Sequence, residues 1–451
     1  MDFMRGIAIT GVLISHNLIL DVWYGKQAFQ IVPPWIIGLL FPLLIIFTWA
    51  GSFVLISGIS TAYTAYQRFE KKVAAKKIIS PILINSAALL LLDPVRTLIF
   101  SRPHLFRGEM THSLFSKLIM TGQWGLPSPE RLYLIGALPM IGLSGLLGAI
   151  LVLCLFKNDK QRQRTDRHLR GLFIAGFVFS LLTVPLSYAI EPLIEKMLSS
   201  PSPHYIAAYL LRILGSAQLS FFPMGTYIFF GLAYGLLLAS GKEKEEIDKR
   251  LRRYARIFFI ATLLSIPPVF IFTKQPIRFL ANIDIYSPTI IYFSLACITL
   301  IFKALVRHVE FGEEGKRLCF AQRTRWLRRF GILTLTLYII DALPGMFVGE
   351  WFHHLFGGKA LWTPLTEGRD AFMTNPFAIF TFVALMFAFW FFMVSLWEKR
   401  NFSGSFEWLM VKISGLFRKE SSHRLDLRNN LDLEQENKPD AKPPSGNLPS
   451  G

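Results

Sequence analysis

The chain has 451 residues, of which 52% are hydrophobic and only 17% charged, with 41 Phe and a formal net charge of +18. A soluble domain carries about 25% charged residues, so this composition excludes an ordinary water-soluble enzyme, and with it disorder and collagen-like structure, and indicates a chain that uses lipid as solvent. Cys154, Cys297 and Cys319 are an odd number, far apart and without CxxC or Cys/His spacing, so neither a disulfide framework nor a zinc site is expected.

Crossing a hydrocarbon core of roughly 30 Å takes about 20 apolar residues. Read with that length, the chain gives about ten candidate helices, at 6–22, 42–66, 78–100, 132–156, 171–191, 218–240, 255–273, 287–306, 330–349 and 376–397. The first opens on Asp2, Arg5 and Gly6 and carries His16 eleven positions after Arg5. At 100° per residue the two lie within about 20° of one face, and His16 is roughly 16 Å deeper. Ser15, Asn17 and Asp21 add polar groups nearby. Arg5 also suits simple snorkelling at a helix end, whereas an imidazole inside a span is costly and points to function, with a hydrogen-bonded structural histidine as the alternative. The apolar run from Ile7 to Leu20 is followed by Asp21, Val22, Trp23 and Tyr24 rather than a small-residue cleavage site, so it is expected to stay as the first span. Residues 31–41, with Pro33 and Pro34, suit an interfacial or re-entrant piece.

In the second span Gly51 and Gly58 are seven apart and share a face, which suits close approach of another helix. Asp93 and Arg96, three apart in the third, are expected to pair. Arg131 and Tyr133 begin the fourth, which also carries Gly136, Gly142, Gly145 and Gly148; the sixth has Pro223, Gly225 and the Gly231/Gly235 pair. Tyr338 and Asp341 fall in the ninth. Two loop clusters, one with His104, Arg107, Glu109, His112, Gln123 and Trp124 and one with Trp351, His353 and His354, suit either an acceptor pocket or an interfacial aromatic belt.

The connections Arg68 to Lys77, Lys157 to Arg170, Lys242 to Arg256 and Lys303 to Arg329, with the segment from Lys399, hold roughly three quarters of the Lys and Arg. Both termini are therefore expected on the cytoplasmic side, and the positive charge reads as topology rather than as a nucleic-acid surface. From Glu420 the chain is polar and Pro-rich towards its end, which suits a disordered tail. No HxxxxD pair, GxSxG elbow, Walker motif, GxGxxG loop or HExxH is convincing. The expected fold is thus an all-α polytopic membrane bundle over residues 1–410, followed by a cytoplasmic, largely disordered tail over 411–451.

The first helix, Met1-Asp-Phe-Met-Arg5-Gly-Ile-Ala-Ile-Thr-Gly-Val-Leu-Ile-Ser-His16, resembles the opening of the transmembrane acyltransferase superfamily. Its members begin with Asp-x-x-Arg-Gly and place a His at this distance from the Arg. The superfamily includes the acyltransferase-3 proteins and the heparan-α-glucosaminide N-acetyltransferase group, and its YeiB-like branch is the most similar. Phe53-Val-Leu-Ile-Ser57-Gly58, Arg131-Leu-Tyr-Leu-Ile-Gly136, Phe221-Phe-Pro223 with Gly231 and Gly235, Gly331-Ile-Leu-Thr334-Leu-Thr-Leu-Tyr338 and Gly404-Ser-Phe-Glu407-Trp408 resemble later motifs of the family in the same order, to about residue 410. The chain departs from the pattern at Asp341, where many relatives have His, at Thr334 in place of Ser, and at Ser405 in place of Pro.

The resemblance implies a membrane acyltransferase, and the short loops and absence of a transit signal suit a bacterial inner membrane. It would take an acyl group, acetyl in the first instance, from cytoplasmic acetyl-CoA or another acyl-CoA to an extracytoplasmic acceptor such as a glycan, with lipid around it and neither metal nor nucleic acid. His16 would be catalytic, as general base or acyl carrier, and Arg5 would bind the donor. The rival readings are a transporter or flippase that uses the same intramembrane polar residues, and a structural subunit without turnover.

Overall fold

The computed structural model describes residues 1–22, 35, 50–106, 109–158, 163–200, 202–215, 220–272, 288–356 and 375–418. Almost all of these are helical. Among them the only strands form one short antiparallel hairpin, β1 (His104–Phe106) with β2 (Glu109–Thr111). The all-α expectation is met.

In chain order the helices are α1 (Asp2–Ser15), α2 (Ala50–Glu70), α3 (Ala75–Val95), α4 (Leu114–Thr121), α5 (Leu138–Phe156), α6 (Thr165–Leu198), α7 (Tyr205–Gly215) and α8 (Phe221–Ala239). They continue with α9 (Lys244–Phe272), α10 (Pro288–Leu305), α11 (Glu314–Arg323), α12 (Arg325–Ile332), α13 (Thr334–Ile340), α14 (Ala342–Leu355), α15 (Pro376–Lys399) and α16 (Phe406–Arg418). α1, α3 and α10 each run on into a π-helical turn, over His16–Val22, Arg96–Phe100 and Val306–Glu310.

Seven of the described helical stretches are long and apolar enough to cross a membrane: those of α1, α3, α5, α6, α8, α10 and α15 with their π-helical extensions. An eighth arises if α13 and α14, bent by 43° at Asp341, count as one span. Pro344 has no N–H to return to the carbonyl of Ile340, which accounts for a break at this place. These helices make the chain an integral membrane protein. α2 and α9, also expected as spans, are less apolar: α2 is rich in Ser and Thr, and the first half of α9 is charged.

α8 is the axis of the larger group of helices and is buried along nearly its whole length. Its glycines explain how α2 comes so close. Gly58 faces Gly231, and a methyl added at Gly231 or Gly235 would strike the backbone carbonyls of Leu55 and Ile59. On its other side Phe230 meets Phe173 and Phe258 at 5.1 and 4.7 Å, which ties α6 and α9 to it. A second group consists of α1, α12, α13, α14 and α15. It packs through Ile9, Val12, Leu13, Phe330, Leu337 and Trp390 near Arg5, and through Leu18, Val22, Phe352 and Phe382 further along. Here too backbones nearly touch, for a methyl on Gly6 would meet the carbonyl of Leu327 and one on Gly331 that of Asp2.

Several boundaries differ from expectation: α6 extends over Thr165–Leu198 rather than 171–191, and α9 starts at Lys244 rather than 255. α5 begins at Leu138, not near 132, because Pro129–Tyr133 forms a separate 3₁₀ turn that turns Arg131 into the protein. At the other end α16 passes through the expected boundary at 410 and ends at Arg418. Residues 31–41 other than Trp35, and the expected tail from 419, lie outside the described residues.

Candidate functional site

The two groups of helices meet at a polar layer built from α1, α3 and the α13–α14 break. α1 is a regular helix up to Ser15, and its π-helical turn starts at His16. In an α-helix His16 and Asp21, five apart, would point about 140° away from each other. The i→i+5 pattern of a π-helix brings them to one side.

Asp341, at the bend between α13 and α14, accepts a hydrogen bond from His16 Nδ1 at 2.7 Å. Asp341 is buried and the His16 side chain is 26% exposed, so one ring nitrogen is held by a carboxylate while the side chain stays partly accessible. Arg102, just after the π-helical turn of α3, donates through Nε and Nη2 to the two oxygens of Asp21 at 2.6 and 2.7 Å. Its Nη1 reaches Asp341 Oδ2 at 3.4 Å. One guanidinium therefore holds both carboxylates that could compete for His16. Gly345 passes so near this pair that a methyl there would collide with Asp21.

Arg131, fully buried, is saturated in a different way. Nε donates to the carbonyl of Thr97 at 3.1 Å, Nη1 to that of Thr111 at 2.9 Å, and Nη2 to that of Arg102 at 2.7 Å and to the hydroxyl of Ser101. It fastens the hairpin and the end of α3 together, and so fixes the backbone from which Arg102 reaches inward.

Asp93 and Arg96 form the pair expected from their spacing, at 3.5 Å between Nε and Oδ1, with Oδ2 of Asp93 accepting from the N–H of Gly136. The guanidinium of Arg96 lies 5.1 Å from the ring centre of Tyr338, whose ring is 6.1 Å from that of His16. The Tyr338 hydroxyl accepts from the N–H of Ala137 at 2.8 Å. The layer thus holds three guanidiniums and three carboxylates, with Arg96 and Arg102 against carboxylates and Arg131 on carbonyls and hydroxyls. A proton taken up by His16 adds the one charge that the set does not already balance.

Arg5 stands at the other end of α1, 35% exposed in its side chain and paired with Asp2 at 3.3 Å. The structure does not bring it to His16; the helix separates them as the spacing predicts. Nearby, Arg325 and Arg329 share Glu398 at 2.9 and 2.7 Å. Of the loop residues, His353 is buried, 3.2 Å from the carbonyl of Asp21, and so supports the π-helical turn. His354 is exposed and lies 3.2 Å from Glu350. Trp124 and Trp351 are exposed, and Arg107 lies outside the described residues. Among the described residues no group of three or more His, Cys, Asp or Glu side chains could hold a metal ion.

Arg102 was not singled out in the sequence. One signal was available: it is a cation next to a proline, away from the basic connections, and an arginine placed there has to find carboxylates. Glu407 was noted only within a motif. It is tied to the first turn of α13, accepting from the N–H groups of Leu335 and Thr336 at 2.5 and 3.1 Å and from the Thr336 hydroxyl at 2.5 Å. No protein-family model matches this chain, and no curated protein matches it either.

Proposed function

We propose that the protein is a membrane-embedded acyltransferase that moves an acyl group, acetyl in the first instance, from cytoplasmic acyl-CoA to a glycan or other acceptor on the far side of a bacterial inner membrane. The reading includes ten spans with both termini in the cytoplasm, which puts Arg5 at the cytoplasmic mouth and His16 inside the membrane. One observation carries it: His16 is held at Nδ1 by the buried Asp341, in a side chain that remains partly accessible.

With Nδ1–H donated to the carboxylate, Nε2 is the basic nitrogen. It takes the proton of an acceptor hydroxyl or amine as that group attacks the thioester carbonyl, and Asp341 stabilises the imidazolium that forms; or it attacks the carbonyl itself and expels the thiolate, and the acceptor then displaces the acyl group from the acyl-imidazolium and releases its proton. The departing thiolate recovers the proton. Arg5 offers a forked guanidinium to donor phosphates, and a donor with phosphates at Arg5 and its thioester near His16 spans the roughly 16 Å between them along α1.

The test is purified protein in nanodiscs with radiolabelled acetyl-CoA and a panel of glycan acceptors. Label should move to an acceptor. Absence of both donor binding and transfer would contradict the proposal and favour a transporter or a structural subunit.

A further inference from the structure

The three arginines of the polar layer differ in how many of their donors are spent. Arg102 uses Nε, Nη1 and Nη2 on two carboxylates, and Arg131 uses all three nitrogens on carbonyls and a hydroxyl. Arg96 is different. Its Nε and the Oδ1 of Asp93 are buried without a hydrogen-bond partner, and their 3.5 Å separation is long for a charge-assisted bond. Among the described residues no hydrogen bond from Arg96 meets the usual geometric limits.

The buried Nε is turned to Asp93, but among the described residues Nη1 and Nη2 donate to nothing, and unspent donors on a charged group of a partly accessible side chain make that edge of the guanidinium a site prepared for an acceptor. Several features hold it in place. Asp93, itself fixed by the N–H of Gly136, orients it; the face of Tyr338 supports it; and Gly136 leaves the space it fills, since a methyl there would strike both Asp93 Oδ1 and Arg96 Nη2. Tyr338 packs between Arg96 and His16. Its hydroxyl accepts from Ala137, and among the described residues its own proton is given to no acceptor. Arg96, Tyr338 and His16 are also all partly accessible in a layer whose other charged members are buried.

We infer that Arg96 is the anion-binding group of this site, and that in the proposed transfer it donates to the thioester carbonyl oxygen as that oxygen becomes negative, with the Tyr338 hydroxyl beside it. This rests on the acyl-transfer reading for its substrate, but not for the anion site itself. With the acceptor as nucleophile, its oxygen or nitrogen bonds to the carbonyl carbon, the carbonyl π electrons pass to oxygen, and His16 holds the proton that the acceptor gives up. When the oxyanion collapses, the carbon–sulfur bond breaks and the thiolate leaves with that proton. The oxygen becomes negative whichever nucleophile attacks. A preorganised guanidinium in a site shielded from water does its work at that stage and not in the ground state.

The experiment compares wild type with Arg96→Gln and Arg96→Lys in nanodiscs, by acetyl-CoA turnover and, separately, by thermal unfolding in sodium formate against sodium chloride. Arg96→Gln should lower kcat by about 10²- to 10³-fold while the KM for acetyl-CoA moves less than about threefold, and Arg96→Lys should restore part of the rate. Formate, a small oxyanion, should stabilise the wild type and not Arg96→Gln. An unchanged kcat in Arg96→Gln overturns the inference, as does formate stabilisation that is absent from the wild type or persists in the variant. Protein that transfers nothing, but loses formate stabilisation on substitution, removes the proposed function and leaves the anion site standing. Should Arg96→Gln not fold, Arg96→Lys decides, because an ammonium lacks the fork and wild-type kcat in it would contradict the role.

Discussion

Asp341 shows how a single side chain changes the meaning of its neighbour. Without it His16 is an imidazole inside a membrane helix; with it the ring is oriented and one nitrogen is assigned. Asp341→Asn keeps the shape but loses the charge that stabilises imidazolium, and kcat should fall by about 10²- to 10⁴-fold with little change in protein yield. Steady-state turnover of the purified variant measures this. Arg102 is a matter of stability instead. Arg102→Leu leaves Asp21 buried and unpaired and should cost roughly 3–5 kcal/mol, whereas Arg102→Leu with Asp21→Leu should recover much of that loss, because no charge is then left without a partner. Unfolding of both variants in detergent gives the comparison. From sequence, Asp341 could be seen only as a departure at its place in the ninth helix. Its contact with His16 crosses 325 positions, and no periodicity reports a distance of that kind.

Among the elements, the close-packing faces of α2 and α8 were legible because they depend on residue size, although their pairing with each other was not. Glycines seven apart on α2 and four apart on α8 announce surfaces that admit another backbone, and the structure sets Gly58 against Gly231. Gly231→Ala must push the two helices apart or shift the carbonyl of Leu55, and should destabilise the protein by about 1–3 kcal/mol in a detergent unfolding assay. The π-helical turn at His16 was not legible. It depends on how the helix is held at Asp21 by Arg102 and near His353, both from distant segments, and the residues of the turn spell an ordinary apolar helix. The 3₁₀ turn before α5 escaped for a similar reason: Leu132 and Leu134 suggest a span, while the hydrogen bonds of Arg131 turn that segment aside.

For the whole molecule, the net charge of +18 resolves into two populations. Most cations lie in connections whose spacing suits a cytoplasmic face, whereas Arg96, Arg102 and Arg131 lie inward and are offset by Asp21, Asp93 and Asp341. The proposed orientation predicts that Cys319, exposed on α11, reacts with a membrane-impermeant maleimide only in inside-out vesicles; labelling in right-side-out cells would reverse it. α1 carries Arg5 near one end, and His16 follows its other end; the central claim is that acyl transfer depends on that histidine. Radiolabelled acetyl transfer by His16→Ala, measured beside the wild type in the same nanodisc preparation, tests this most directly. The account predicts that the variant inserts, folds and binds acetyl-CoA but transfers no label, and transfer at the wild-type rate would contradict it.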